Sequence, residues 1–423
     1  MNAEIIAVGS ELLLGQITNT NARYISSQLA ELGINVYYHT VVGDNADRLK
    51  QAIELAESRA DLIIFSGGLG PTKDDLTKET ISRHIGKELV MDLSALEMIE
   101  AFFKSHNRPM TENNKKQALV LDGCKVLANH HGMAPGMFYT QGNHVYILLP
   151  GPPKEMEPMF QIEAKPVLAK WLNQGEVIQS HVLRFYGIGE AELETQIMDL
   201  LETQTNPTIA PLASDGEVTL RITAKTSTEE EAFRLINEAE QKILSRVGEF
   251  LYGYNDDSLA SSAAKLLIEQ GLTISAAESL TAGLFQSELA AIPGVSNTLV
   301  GGMVTYTADS KVNQLGVERD LINQFGVVSA ECATAMAQRV KVMFHTDIGV
   351  ALTGAAGPSG HDNQPAGSVW IALVLPNDEV VTHHLHLSDM RNTNRLRAVK
   401  RTLHYLIQLL TSQSCEQDLN QAK

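Results

Sequence analysis

Short apolar runs separated by amphipathic stretches of helical period recur at both ends of this chain, and that alternation restricts the fold more than any other feature. From the amino terminus, residues 4–8, 35–42 and 62–65 read as buried strands, with helices over 19–32 and 46–59 between them. A β-α-β-α-β order predicts a parallel sheet covered by helices on both faces, with ligand-binding loops at the carboxyl ends of the strands. The loops so placed are GSELLLG, VGDN and SGGLGPTKDD. Another buried run, 145–149, leads into PGPPKEMEPM, where Pro150, Pro152 and Pro153 open a last helix. The first domain therefore spans residues 1–171.

Residues 172–253 read differently, as a small α+β unit with strands at 182–186 and 218–224 and helices at 190–203 and 228–247. It gathers no cluster of chemically useful side chains and reads as a spacer or dimerisation unit. After a polar turn at 253–258, a helix over 260–270, capped by Asp257 or Ser258, opens the third domain, 254–413. There the β/α alternation resumes, with strands expected at 273–276, 300–306, 348–353, 368–375 and 380–387. A final helix is expected to end near Leu410, and the polar tail, 414–423, to fray. Three domains in 423 residues is an ordinary division.

Charge narrows the partners. A formal net charge of -17 opposes non-specific binding to nucleic acid or to an anionic membrane. A small anionic nucleotide remains compatible, since one arginine or one helix N-terminus holds a phosphate against the overall field. Cys124, Cys332 and Cys415 are scattered and form no C-x-x-C pair, which suggests a reducing compartment. The opening MNAEIIAVGS has no basic n-region and nothing later reaches transmembrane length, so a cytoplasmic location is expected.

The densest chemistry lies in AAESLTAGLFQSELAAIPGVSNTLVGGMVTYTADSK. Ser279 follows an apolar strand and precedes the small residues Thr281, Ala282 and Gly283, which open a helix. A hydroxyl there can act as a nucleophile beside backbone N–H groups that hold an oxyanion, and it can equally be a helix cap. A serine nucleophile needs a base. Lys311, in a loop after the 300–306 strand, could serve if burial lowers its pKa, with Tyr306 orienting it. TGAAGPSGHDNQPAG, from Thr353 to Gly367, offers glycines that admit a ligand close to the backbone. Arg391 and Arg395 share one face at the start of the last helix, where they could pair with a phosphate or simply be solvated.

Together AESLTAG, GGMVTYTADSK, LGV, GVVS, TGAAGP, PAGSVW and the 391–397 segment resemble the C-terminal domain of the CinA family, over residues 259–410. Active members of that family are nicotinamide mononucleotide deamidases. The resemblance implies Ser279 as nucleophile, Lys311 as its partner and Tyr306 beside them. It also implies substrate contacts from Thr281, Thr353, Gly354, Gly357, Arg391 and Arg395, and no cofactor for this domain. Two departures touch the substrate loops: the common ESCTGG stands here as Glu278-Ser279-Leu280-Thr281-Ala282-Gly283, and G-P-x-G-G as GPSGH.

In the first domain Asp74 and Asp75 follow SGGLGPTK after a buried strand, where adjacent acids beside a glycine turn can hold Mg2+ against a diphosphate or can cap the next helix. Glu11, Asn19 and Asp44 follow neighbouring strands of the same sheet. With NNKKQA and LPGPPKEM these loops resemble the CinA family's N-terminal, molybdopterin-binding-like domain, over residues 3–171. That domain is linked to metal-dependent ADP-ribose pyrophosphatase activity. The implied roles are Asp44, Asp74 and Asp75 as ligands of a divalent metal, with Gly67, Gly68, Gly70, Thr72, Glu11 and Asn19 around the diphosphate. The 172–253 segment then resembles the family's KH-like middle domain. His130, His131, His383, His384 and His386 are read as structural, because no motif brings a carboxylate to them.

The resulting expectation is an α/β, two-function pyridine-nucleotide recycling enzyme, homodimeric by resemblance, acting on nicotinamide mononucleotide and ADP-ribose and on neither nucleic acid nor membrane. A molybdopterin- or nucleotide-binding protein without catalysis, and a competence- or damage-associated interaction protein, are the alternatives.

Overall fold

The computed structural model describes residues 1–172, 177–214, 216–388 and 390–421, with backbone alone at 214 and 413–421. The chain forms two compact units, Met1–Ser180 with Thr203–Ile209 and Ile222–Glu240, and His181–Glu202 with Ala210–Arg221 and Gln241–Lys423.

In the N-terminal domain six strands lie in the order Asn35–Val42, Asn2–Val8, Leu62–Ser66, His144–Leu149, Gly136–Gln141, Lys125–Leu127. The first four are parallel, as the alternation predicted. The last two are antiparallel, which corrects the expectation of a wholly parallel sheet. The cause is a two-residue hairpin, Gly142-Asn143, with Gly142 at φ 60°. Alternate residues of each strand feed opposite faces: Ile5, Ile64 and Ile147 pack with Ile25 and Phe160, whereas Ile6, Phe65 and Leu148 pack with Leu49 and Ile81.

The middle segment carries a four-stranded sheet ordered Thr208–Ser214, Glu217–Thr226, Val177–Tyr186, Leu251–Tyr254. The single helix expected over 190–203 is two, Glu190–Gln196 and Met198–Thr203, broken at Ile197 with φ -117° and ψ 17°.

The C-terminal domain is a five-stranded sheet ordered Leu299–Val304, Ile274–Glu278, Ile348–Gly354, Ser368–Val374, Val380–His386. The first three strands are parallel and the last two antiparallel. Helices Leu259–Glu269 and Arg391–Gln421 cover one face and Ala330–Phe344 the other. The register aligns Glu278 with Val304 and with Leu352, so three carboxyl ends open into one crevice. Three sequence expectations are corrected here. The second strand ends at Val304, which leaves Tyr306 beyond it. Lys311 sits on a short helix, Ala308–Asn313, because Thr307 and Ser310 form a capping box. The last helix continues past Leu410 to Gln421, and residues 422–423 of the tail lie outside the described residues. Among the described residues no helix is long and apolar enough to cross a membrane.

Candidate active site

Ser279 is the first residue after the Ile274–Glu278 strand, and its N–H remains bound to the Leu352 carbonyl at 2.9 Å. The chain then turns sharply, with Ala282 at φ 52° and Gly283 at φ 90°, before helix Leu284–Ala290 begins. Two left-handed residues in succession need a fastening, since the alanine stores about 1 kcal/mol or more of strain. The fastening is Glu278, fully buried. Its Oε2 accepts from the N–H groups of Gly283 (3.0 Å) and Phe285 (3.1 Å), and its Oε1 from Gln286 N (3.0 Å) and Gln286 Nε2 (3.0 Å). Arg395 holds the turn from the other side, donating to the carbonyls of Leu280 (3.0 Å) and Thr281 (2.9 Å).

This arrangement corrects the expected oxyanion hole. The N–H groups at the start of the helix already serve Glu278, and that of Ala282 serves the Ser279 carbonyl at 3.1 Å. The turn amides with no acceptor among the described residues are those of Leu280 and Thr281. Leu280, one residue past Ser279, lines the cavity.

Lys311 is 1% exposed, and its Nζ lies 3.0 Å from Ser279 Oγ and 2.7 Å from the Thr305 carbonyl. Burial in a region without a carboxylate partner pushes its pKa down to about 8. A neutral amine in this position donates one N–H to Thr305 and presents its lone pair to the serine hydroxyl. The Cys332 thiol, also buried, is raised to about 11 by desolvation and stays protonated beside the lysine.

In front of the serine is a cavity of about 450 Å³, a size suited to a small organic ligand. Tyr306, Thr353, Gly354, Gly357 and Arg391 all line it. Arg391 donates to the Tyr306 hydroxyl (2.6 Å) and to the Gly357 carbonyl (2.8 Å), bridging the mouth. The Thr353 hydroxyl donates to the Val327 carbonyl at 2.6 Å. Gly354 is required by close approach, since a Cβ there would strike the Ser368 carbonyl and Val369 Cα. Thr281 and Arg395 do not line this cavity: Thr281 is fully buried, and Arg395 faces the turn carbonyls instead of the open space. Sequence reasoning missed Glu278 as the fastening and Ser359 and His361 as further lining residues. A buried acid directly before a candidate nucleophile was the signal for Glu278.

The N-terminal loops are ordered differently. Asp44 accepts from the N–H (3.0 Å) and hydroxyl (2.7 Å) of Ser10. Asn19 caps its helix through Ala22 N–H at 3.0 Å. Glu11 packs beside Gly9, and Asp74 is exposed. Gly67 and Gly68 have φ 103° and 69°, and a Cβ on Gly67 would run into the Val8 carbonyl oxygen. The Asp75 carboxylate is taken by the N–H of Thr72 (2.9 Å) and by its hydroxyl, and lies against Gly70. Asn21, missed in the sequence, is 9% exposed and ties the region together, donating to Ser66 Oγ and the Gly151 carbonyl, both at 2.7 Å. Among the described residues no group of three or more His, Cys, Asp or Glu side chains converges to hold a metal ion. Asp44, Asp74 and Asp75 are not gathered into such a group.

The fold and this site define a class: a multidomain α/β protein with a serine–lysine pair at the carboxyl edge of its last sheet. Three family descriptions match in succession, "probable molybdopterin binding domain" at residues 4–170, "damage-inducible protein CinA KH domain" at 180–253 and "CinA C-terminal domain" at 256–410. A "putative competence-damage inducible protein" of Lysinibacillus sphaericus is 68% identical over 410 residues, covering 97% of this chain and 98% of its own. One from Bacillus subtilis is 54% identical over 408 residues, with coverage of 96% and 98%. A crystal structure of CinA of unknown function from Thermoplasma acidophilum is 38% identical, covering 39% of this chain and 97% of its own, at TM-score 0.36. The chain belongs to the CinA family of competence-damage inducible proteins.

Proposed function

We propose that the C-terminal domain is an amidohydrolase that converts nicotinamide mononucleotide to nicotinate mononucleotide and ammonia. The observation that supports this reading is the 3.0 Å approach of the buried Lys311 amine to Ser279 Oγ. Neutral Lys311 takes the hydroxyl proton as Oγ attacks the carboxamide carbon, and the oxygen of the tetrahedral adduct is met by Leu280 N–H. Lys311 then gives its proton to the departing nitrogen, the C–N bond breaks, and ammonia leaves an acyl-serine. Water, losing a proton to Lys311, cleaves that ester and frees Ser279. Arg391 is the group for the substrate phosphate, reached by exchanging its bond to Tyr306.

For the N-terminal domain the proposal is ADP-ribose diphosphate hydrolysis. It is supported by the glycine turn Gly67-Gly68, whose positive φ angles bring backbone to the mouth of the sheet.

The test is ammonia release from nicotinamide mononucleotide by wild type and by Ser279→Ala, with ADP-ribose hydrolysis measured on the same preparations. The expected result is loss of ammonia by ~10³-fold or more with ADP-ribose turnover unchanged. Equal ammonia rates would remove Ser279 from the mechanism. Tight pterin binding with neither product would favour the non-catalytic binding protein.

A further inference from the structure

The chain after Gly357 folds into a small hairpin at the edge of the Ser279 cavity. His361 and Gln364 exchange both backbone bonds, at 3.0 Å from the His361 N–H and 2.9 Å from the Gln364 N–H. Between them Asp362 and Asn363 are left-handed, at φ 55° and 58°. That is the conformation a two-residue hairpin turn demands and one that Asp and Asn tolerate. Gly360 is needed for the pairing, since a Cβ there would strike the Gln364 carbonyl oxygen.

The hairpin is fastened by its own turn. Asp362 Oδ2 accepts from the Val328 N–H at 3.1 Å, and the carboxylate lies so close to Gly326 that a Cβ there would run into it. Val327 and Val328 themselves line the cavity, so the hairpin is docked on the cavity wall. At the start of the loop the Gly357 carbonyl accepts from Arg391 at 2.8 Å. The loop is therefore tied at one end to the cavity wall and at the other to the guanidinium assigned to the substrate phosphate. His361, four residues past Gly357, is exposed and lines the cavity. Its backbone N–H is spent on Gln364, so the donor it offers a ligand is the imidazole. An imidazole donates an N–H in either protonation state and adds a positive charge when protonated.

We propose that His361 is a specificity-determining residue that joins Arg391 in binding the phosphomonoester of the substrate, so that the site selects a pyridine mononucleotide over the phosphate-free nucleoside. This assignment rests on the amidase reading of the Ser279 cavity. Hydrogen bonds to a charged acceptor are the strong ones, and a ring N–H beside a guanidinium fork satisfies phosphate oxygens that the fork alone leaves to water. The position is also where the sequence departs from the common G-P-x-G-G of the family, standing as GPSGH. A glycine there has no side-chain donor, so the added selectivity belongs to this chain.

The experiment measures ammonia release by the full chain from nicotinamide mononucleotide and from nicotinamide riboside, which carries the same amide without the phosphate. It compares wild type with His361→Leu, which keeps bulk and loses the donor, and with His361→Gln, which keeps a donor and loses the charge. In His361→Leu the KM for the mononucleotide is expected to rise about tenfold with a smaller change in kcat, and the ratio of kcat/KM between the two substrates to fall about tenfold. His361→Gln is expected to lie between. An unchanged KM for the mononucleotide would overturn the assignment, as would losses of equal size on both substrates, which mark a merely structural role. Calorimetric titration with nicotinamide mononucleotide in the Ser279→Ala background reads the same contact without turnover. Absence of ammonia from wild type would refute the amidase reading, and the titration then decides His361 by itself. Binding that His361→Leu weakens about tenfold supports the contact; equal binding, or none by Ser279→Ala, overturns it.

Discussion

Two lysines, one in each terminal domain, Lys78 and Lys311, are each 1% exposed and each pushed by burial to a pKa of about 8. Lys311 meets a serine hydroxyl at 3.0 Å beside a cavity. Lys78 donates to the Lys116 carbonyl at 2.6 Å and the Gln117 carbonyl at 3.3 Å. It faces no nucleophile. The comparison teaches that a perturbed pKa marks a buried amine, and that geometry decides whether the amine has chemical work.

The sharpest way to separate the pair is Lys311→Met, which should lower ammonia release by about 10²- to 10⁴-fold. The same variant should be more stable than wild type. The folded-state pKa lies below the unfolded value of 10.5, so the folded protein is penalised wherever the lysine is protonated. That penalty is complete below pH 8, on the order of 3 kcal/mol, and vanishes above pH 10.5. Thermal unfolding against pH should therefore show the variant's advantage shrinking between those limits. Wild-type turnover should climb as pH rises through about 8, where Lys311 becomes neutral.

Lys78→Met should leave ammonia release unchanged. Its stability gain should be smaller, because two carbonyls lose a donor, at about 1 kcal/mol each, where Lys311→Met strands one, that of Thr305. Deamidation that fell with Lys78 would collapse the distinction. The smallest effect belongs to Ala282→Gly, where relief of left-handed strain and added backbone freedom nearly cancel. Stability within ~1 kcal/mol and near-wild-type ammonia release are expected. A large activity loss would mean that turn stiffness itself positions Ser279.

The fold was legible where periodicity was long. Strands such as Leu62–Ser66 and Ile348–Gly354 announce themselves as apolar runs buried on both faces. The antiparallel half of the first sheet was not read, because its signal is one short dipeptide, Gly142-Asn143. Motif resemblance named Ser279, Tyr306, Lys311, Thr353 and Arg391, and these do gather around one cavity or directly behind it. It could not foresee that Arg395 would turn toward the Leu280 and Thr281 carbonyls, since i, i+4 spacing fixes the azimuth of a side chain and not the direction of its far end. Nor could it show that the helix amides were already engaged. That depends on Glu278 being drawn inside by the sheet register.

The Glu278 clamp has a consequence for what evolution can write at this position. Four donors converge on one side chain, and only a carboxylate offers four lone pairs with no hydrogen of its own. Glutamine would turn an amino group toward backbone N–H, and aspartate falls one carbon short. In a library of all twenty residues at position 278, selected only for folding, glutamate should stand nearly alone. The letter before Ser279 would then be kept by the backbone, whatever the serine does.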